Sequence, residues 1–149
     1  MALKPLRHVS YDTIQYYLNA TGERGGVLIY DTSSSGLGDM DDAGSLAKFP
    51  TDSGGSPVGV LMCDVVDIDQ SRFALNMHQD EVQKNSKVPI AKRGLIRTNM
   101  LAAGQNPIPG SGAYYTTNGM FTMNTGSVLC GRFGSAKDSD GYADIELNI

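Results

Sequence analysis

The sequence predicts an all-β, single-domain protein, a β-barrel or β-sandwich that carries an N-terminal arm. A chain of 149 residues is long enough to bury one core and short enough to need only one. Its apolar residues alternate mostly with a period of two, and 18 glycines and 6 prolines mark turns between short apolar runs. Many short strands with frequent turns are typical of barrels and sandwiches.

Residues 1–19 precede the first turn signals and form the predicted arm. They hold three of the seven tyrosines of the chain, Tyr11, Tyr16 and Tyr17, together with Ile14 and Leu18. This apolar area is enough to dock on another surface. The segment is predicted to be one short helix or an extended arm, and we interpret it as an arm that packs on a neighbour in preference to an internal strand. Residues 20–149 are then the β-rich domain.

Short apolar runs bounded by turn residues predict the strands of that domain. The runs lie at 27–30, 58–66, 72–76, 88–91, 95–101, 113–116, 120–123 and 128–133. Residues 32–57 are rich in Ser, Gly and Asp, so we expect a loop insertion with one short strand near 46–49. Asn118-Gly119 predicts a tight hairpin turn, because both residues tolerate positive φ. In the last strand, Ile145, Leu147 and Ile149 alternate with polar residues, so one face is apolar and the other acidic.

Compartment signals are few. The polar residues that follow the basic start do not form the apolar run of a secretory signal, and no stretch approaches the roughly 20 apolar residues of a membrane helix. Cys63 and Cys130 lie far apart without metal-ligand spacing, so we expect two reduced, buried thiols, with one disulfide as the alternative. Synthesis in a cytoplasm and no membrane partner fit these patterns best.

Residues able to carry out catalysis are scarce. Neither His8 nor His78 lies in a nucleophile motif, and no phosphate-binding glycine loop is present, so we expect no enzymatic activity and no cofactor. Asp138, Asp140 and Asp144 form a weak candidate for a cation site around Gly141. The alternative is a turn in which the Asp side chains bind their own backbone, and we favour it.

Charge is distributed in blocks although the net charge is only −4. Residues 1–81 carry −7, residues 82–137 carry +7 with no acidic residue, and residues 138–149 carry −4. The basic block lacks the interleaved aromatic residues of a nucleic-acid site between Lys84 and Arg97, so a protein surface with acidic patches is the better partner. The acidic part of a second copy is one such surface, which makes a homo-oligomer plausible.

An ordered set of motifs in residues 57–149 resembles the capsid cement, or head decoration, proteins of tailed bacteriophages. The motifs are Pro57-Val58-Gly59-Val60-Leu61, Asp64-Val65-Val66-Asp67, Asn76-Met77-His78-Gln79-Asp80-Glu81-Val82-Gln83, Arg93-Gly94-Leu95-Ile96-Arg97-Thr98-Asn99-Met100, Gly131-Arg132-Phe133 and Lys137-Asp138-Ser139-Asp140-Gly141-Tyr142.

The resemblance implies a non-enzymatic β-rich virion protein that binds the outer surface of the assembled head. Such a protein reinforces the joints between major capsid proteins, commonly as a trimer. As contact residues we expect an arm and a basic group. The arm residues are Leu3, Leu6, Tyr11, Tyr16 and Tyr17, and the basic residues are Lys92, Arg93 and Arg97.

The alternative is a β-barrel module that binds a glycan or another surface ligand. It would use loop 32–57, the Asp138 turn, or one of Tyr114 and Tyr115 as a stacking platform. Only one of these two tyrosines can serve, because neighbouring strand residues point to opposite faces.

Overall fold

The chain folds into an all-β structure, which confirms the predicted class. In this computed structural model, residues 3–4, 12–32, 46–67 and 81–149 are described. The strands are β1 (Leu3–Lys4), β2 (Asp12–Leu18), β3 (Val27–Tyr30), β4 (Leu46–Lys48), β5 (Pro57–Leu61), β6 (Asp64–Val66), β7 (Glu81–Gln83), β8 (Ser86–Thr98), β9 (Gly112–Tyr115), β10 (Phe121–Thr122), β11 (Leu129–Phe133) and β12 (Ala143–Asn148). The 3₁₀ turn Thr117–Gly119 joins β9 to β10.

Five strands close into a barrel in the order β8-β2-β4-β3-β5, with β5 returning to β8. All neighbours are antiparallel except β2 and β4. The barrel is filled by fully buried aliphatic side chains, among them Leu18, Leu28, Val58 and Ile90. Because no edge strand remains on a closed barrel, this part of the protein is a rigid scaffold.

A second layer, which we call the extension sheet, grows from the same strand β8. Its order is β10-β9-β11-β12-β8, and β1 pairs with the other edge of β8. Its inner side chains, including Tyr115, Phe121, Phe133 and Ile145, pack on residues of the outer barrel wall. The opposite face of the sheet is therefore turned away from the barrel.

Strand β8 belongs to both layers because a bulge divides it. Ala91 pairs with Thr13, whereas Arg93 pairs with Asp12, so Lys92 is the extra residue. On the other edge of β8, Ile90 and Ala91 pair with β5, and residues 93–98 pair with β12. The first half of β8 is thus a strand of the barrel, and the second half is a strand of the extension sheet.

Gly59 permits the close approach of β5 to β8. Its φ of +155° is one that other residues rarely adopt, and a Cβ here would collide with the carbonyl oxygen of Ala91. The pairing of β3 with β5 shifts at this point, so Val58 faces the barrel interior while Val60 faces the core between the layers. A bulge therefore lets one short strand contribute to two cores.

Most predicted strands are present, with altered limits. The runs 88–91 and 95–101 are parts of the one strand β8, and the run 58–66 divides into β5 and β6. The short strand expected within loop 32–57 is β4, and the run 72–76 lies outside the described residues. The hairpin turn is confirmed, since Asn118 and Gly119 both have positive φ and β9 pairs with β10.

The structure corrects the interpretation of residues 12–18 as part of an arm. They form β2, which pairs with β8 along its whole length and is one of the five strands of the barrel. Leu18 is fully buried, and Ile14 and Tyr16 pack against the barrel core. Ile14, Tyr16 and Leu18, which favoured docking on a neighbour, thus pack within the chain itself.

The two cysteines are free and buried, as expected, and they lie in different cores. Burial raises the pKa of Cys130 to about 12 and that of Cys63 to about 11, with the nearby Asp64 adding to the rise at Cys63. Both thiols therefore stay protonated and unreactive near neutral pH. No helix in the described part of the chain is long and apolar enough to cross a bilayer.

The close contact at Gly59 gives a stability prediction. We expect Gly59→Ala to lower the free energy of unfolding by about 2–4 kcal/mol, because the methyl group meets backbone and the positive φ is strained. Gly126→Ala is the control, since no atom lies within 4 Å of the added Cβ. Urea denaturation of both variants tests this, and equal stabilities would contradict it.

Thiol chemistry gives a second prediction. In the native protein neither cysteine should react with Ellman's reagent at about pH 8, whereas both should react in denaturant. Because the folded protein holds the thiol protons more tightly than the unfolded chain, stability should fall as pH rises above 9.0 toward the folded pKa values near 11 and 12. Rapid labelling of the native protein would show that the two cores are not closed.

Candidate interaction surface

The outer face of the extension sheet is the candidate functional site, and the alternation of β12 defines it. Ile145 and Leu147 are buried against the barrel, so Asp144, Glu146 and Asn148 project outward. The apolar face of this strand, predicted from the sequence, is confirmed. Residues paired with the outward positions of β12 extend the same face across the neighbouring strands.

The register of the strands places charged and apolar side chains in rows on this outer face. Glu146 lies between Leu95 of β8 and Arg132 of β11, and Arg132 is opposite Gly112 of β9. The next positions along β8 pair Arg93 with Asn148 and Arg97 with Asp144. Tyr114 of β9 pairs with Leu129 of β11 at the far side.

Three apolar or aromatic residues on this face remain in contact with solvent. Leu129 is 49% exposed, Leu95 is 38% exposed, and Tyr114 is half-buried. With three arginines and two acidic residues, the face combines exposed apolar area with a small excess of positive charge. Apolar, aromatic and arginine side chains together are typical of protein interfaces.

An open depression of about 600 Å³ lies on the same face. Arg132, Glu146, Asn148 and Leu129 line it, and Gly131 contributes backbone without a side chain. A Cβ at Gly131 would collide with the carbonyl oxygen of Glu146, so glycine is required there. The depression can receive a side chain of a partner and place it beside a guanidinium.

Arg97 and Asp144 form a bidentate ion pair on the outer face. The Nε–Oδ1 distance is 2.6 Å and the Nη2–Oδ2 distance is 3.0 Å. The hydrogen bonds that the Arg97 guanidinium donates to Asp144 raise the pKa of Arg97 further, so Arg97 stays charged near neutral pH. Arg97 is thus engaged within the chain and links β8 to β12.

The other two basic residues that the sequence predicted as contacts lie on the same strand as Arg97. Arg93 is exposed on the outer face, between Asp12 and Asn148 in the register. Lys92 is half-buried at the bulge of β8, and its carbonyl oxygen accepts a hydrogen bond from the amide of Ile149. Of the predicted basic group, Arg93 is therefore the residue best placed to meet a partner.

The predicted arm residues are not brought together as one contact surface. The backbone of Leu3 pairs with Thr98 at the edge of the extension sheet, and Leu6 and Tyr11 lie outside the described residues. Tyr16 contacts Tyr30 edge-to-face, with a centroid distance of 5.6 Å. Tyr17 is buried, and the ammonium of Lys87 lies over its ring. Tyr16 and Tyr17 therefore hold barrel strands together.

The turn interpretation of the Asp138 segment, favoured over a cation site, agrees with the contacts. Asp138 Oδ1 accepts hydrogen bonds from the amides of Asp140 and Tyr142, and Asp144 is held by Arg97. Within residues 3–4, 12–32, 46–67 and 81–149, no three His, Cys, Asp or Glu side chains are grouped as metal ligands. These Asp side chains thus stabilise a turn and a strand pair.

Comparison with known proteins gives no family for this chain. No protein-family model matches it, and no curated protein matches it either. The resemblance to capsid decoration proteins therefore stays a prediction.

Sequence reasoning missed Leu95 and Leu129 as surface residues, whereas Glu146 lies on the acidic face that the alternation in the last strand predicted. The bulge between Leu129 and Gly131 puts Leu129 and Arg132 on the same face although they are three residues apart, so periodicity could not assign Leu129. At Leu95 the alternation is regular, and its place between Arg93 and Arg97 on the same face was the available signal.

The Arg97–Asp144 pair gives a prediction for this surface. In a double-mutant cycle with Arg97→Ala and Asp144→Ala, we expect a coupling of about 1 kcal/mol, reduced by salt because Arg97 is partly exposed. The matched control is the Lys84–Asp67 pair, which is 3.6 Å apart and has its Asp side chain 61% exposed. Its coupling should be close to zero, and equal couplings for both pairs would contradict the assignment.

Proposed function

We propose that this chain is a capsid decoration protein of a tailed bacteriophage, which binds the outer surface of the assembled head through the outer face of the extension sheet. The observation that carries the proposal is the outer face itself. It presents Leu95, Leu129 and Tyr114 beside Arg93 and Arg132, on a sheet backed by a closed barrel. The ordered motifs in residues 57–149 supply the identity of the partner, the major capsid protein.

Rigidity of the outer face supports binding without loss of conformational freedom. Its strands are fixed by cross-strand pairing, and its inner side chains are buried in the core between the layers. A preformed surface does not lose backbone entropy when it binds, so even a small contact area gives useful affinity. This property suits a protein that recognises one fixed arrangement of shell subunits.

The mechanism is stabilisation of one assembly state. A protein that binds only the assembled head stabilises it by its differential affinity for that state. If each subunit contacts two or more capsid proteins, or if the subunits form the expected trimer, simultaneous engagement raises the effective concentration. Joints between capsid proteins are thereby reinforced against expansion and the pressure of packaged DNA.

Charge complementarity directs the binding toward an acidic protein surface. Arg93 is exposed and Arg132 lines the open depression, so both can meet carboxylates of the partner. Arg97 contributes mainly by holding β8 to β12. The contact surface proposed here is therefore the sheet face, with a smaller share for the arm than the sequence predicted.

A glycan-binding module is the second candidate, and the position of Tyr114 favours it. Tyr115 is buried and its hydroxyl donates to the carbonyl oxygens of Gly55 and Ser53, so Tyr114 is the tyrosine on the outer face. Tyr114 pairs with Leu129, which lines the depression together with Arg132, Glu146 and Asn148, and an aromatic ring beside such a polar depression can bind a sugar. A glycan array separates the candidates, because a decoration protein should bind no glycan on it.

Head binding tests the proposal directly. Heads assembled from the genome that encodes this chain, with its gene deleted, are mixed with the purified protein and analysed by sedimentation and electron cryomicroscopy. We expect the protein to occupy repeated positions on the outside of assembled heads and not to bind unassembled capsid protein. Absence of binding to heads, or equal binding to unassembled subunits, would overturn the proposal.

Charge reversal on the outer face should weaken this binding. For Arg93→Glu combined with Arg132→Glu, we expect about a tenfold loss of affinity at about 50 mM salt and a smaller loss at high salt. The control is Lys84→Glu, which reverses a charge outside the outer face, at a residue whose exposed ion pair contributes little, and should stay within about twofold of wild type. A loss in the control as large as one in the double variant would place the contact elsewhere.

A further inference from the structure

The turn at residues 108–111 presents the most exposed of the large apolar side chains identified on the described surface. Ile108 is 66% exposed, compared with 49% for Leu129 and 47% for Val128. Single apolar residues on a surface are common and need no function by themselves. The local structure around Ile108 is what makes it a candidate contact.

The turn does not require an apolar residue at position 108. The amide of Ser111 donates to the carbonyl of Ile108 at 3.0 Å, and Gly110 has a φ of +87°. Proline at the second position and a positive-φ glycine at the third define a type II β-turn, with Ile108 at the first position. The geometry therefore depends on Pro109 and Gly110 and makes no demand on the side chain of residue 108.

Hydrogen bonds hold the turn in one conformation. The amide of Gly110 donates to the carbonyl of Phe133 at 2.7 Å, and the amide of Phe133 donates to the carbonyl of Ser111 at 2.9 Å. The Ser111 hydroxyl also donates to the carbonyl of Ile108 at 2.6 Å. Pro107 on the other side is buried. Ile108 is thus held between two prolines on a turn attached to β11, and it loses little entropy on binding.

The turn stands at the rim of the outer face. Ser111 is followed directly by Gly112, the first residue of β9, and Gly112 lies opposite Arg132. A partner that covers the row of Arg132, Glu146 and Leu95 is therefore close to the turn. Because the turn adjoins the outer face, the protein that covers this face is also the partner of the turn.

We infer that Ile108 is a preorganised apolar anchor, which inserts into an apolar pocket of the protein that covers the outer face. The inference rests on the proposed function for the identity of that protein, the assembled capsid shell. Apolar insertion and the arginine contacts supply different parts of the affinity. The arginines make it dependent on salt, whereas the Ile108 contribution is nearly independent of salt.

Head binding by a set of variants at the turn tests the anchor. Ile108→Asn removes the apolar side chain without adding charge, and Ile108→Leu preserves apolar volume. Asn106→Asp is the matched control, since it adds a negative charge at an exposed neighbour and leaves Ile108 in place. Thermal unfolding of each variant checks that the turn and β11 remain folded.

We expect Ile108→Asn to weaken head binding by about tenfold at both low and high salt. Ile108→Leu should retain affinity within about threefold and Asn106→Asp within about twofold. If wild type binds and Ile108→Asn binds equally well, the anchor is refuted while the proposed function stands. If wild type does not bind heads, both are refuted.

Discussion

The continuous strand β8 is the constraint on which the rest of the structure depends. Its first half closes the barrel by pairing with β2 and β5, and its second half is the base of the extension sheet through β12. The two layers are therefore joined by covalent backbone as well as by side-chain packing. A force applied to the outer face is passed through the hydrogen bonds of β12 and β8 into a closed barrel, which has no free edge along which to open.

This construction explains why the proposed interaction surface lies on one side of the protein. The barrel side of the extension sheet is occupied by the core between the layers, so only the opposite side can meet a partner. The outer face keeps the alternating polar residues of a solvated sheet but also exposes Leu95 and Leu129. Strand registers place these residues beside arginines, and the proposed function uses apolar and charged contacts together.

The sequence predicted the strand content well and the roles of individual strands less well. The alternation around Ile145 and Leu147 predicted both the strand and its buried face, because β12 carries no bulge within the paired residues. The aromatic residues Tyr16 and Tyr17 favoured an arm, yet they stabilise the barrel, because pairing with residues 86–93 depends on contacts that are distant in sequence. Part of the outer face was hidden by a local irregularity, since the bulge between Leu129 and Gly131 reverses the alternation that would assign Leu129 to a side.

The pairing of β2 with β8 has a consequence for synthesis on the ribosome. Strand β2 leaves the exit tunnel early, but β8, the strand with which both β2 and β5 pair, ends only at Thr98. The barrel therefore cannot close until β8 has been made, and the apolar strands β2 and β5 wait for that partner while translation continues. Cells that make this protein rapidly must keep those early strands from pairing with other chains.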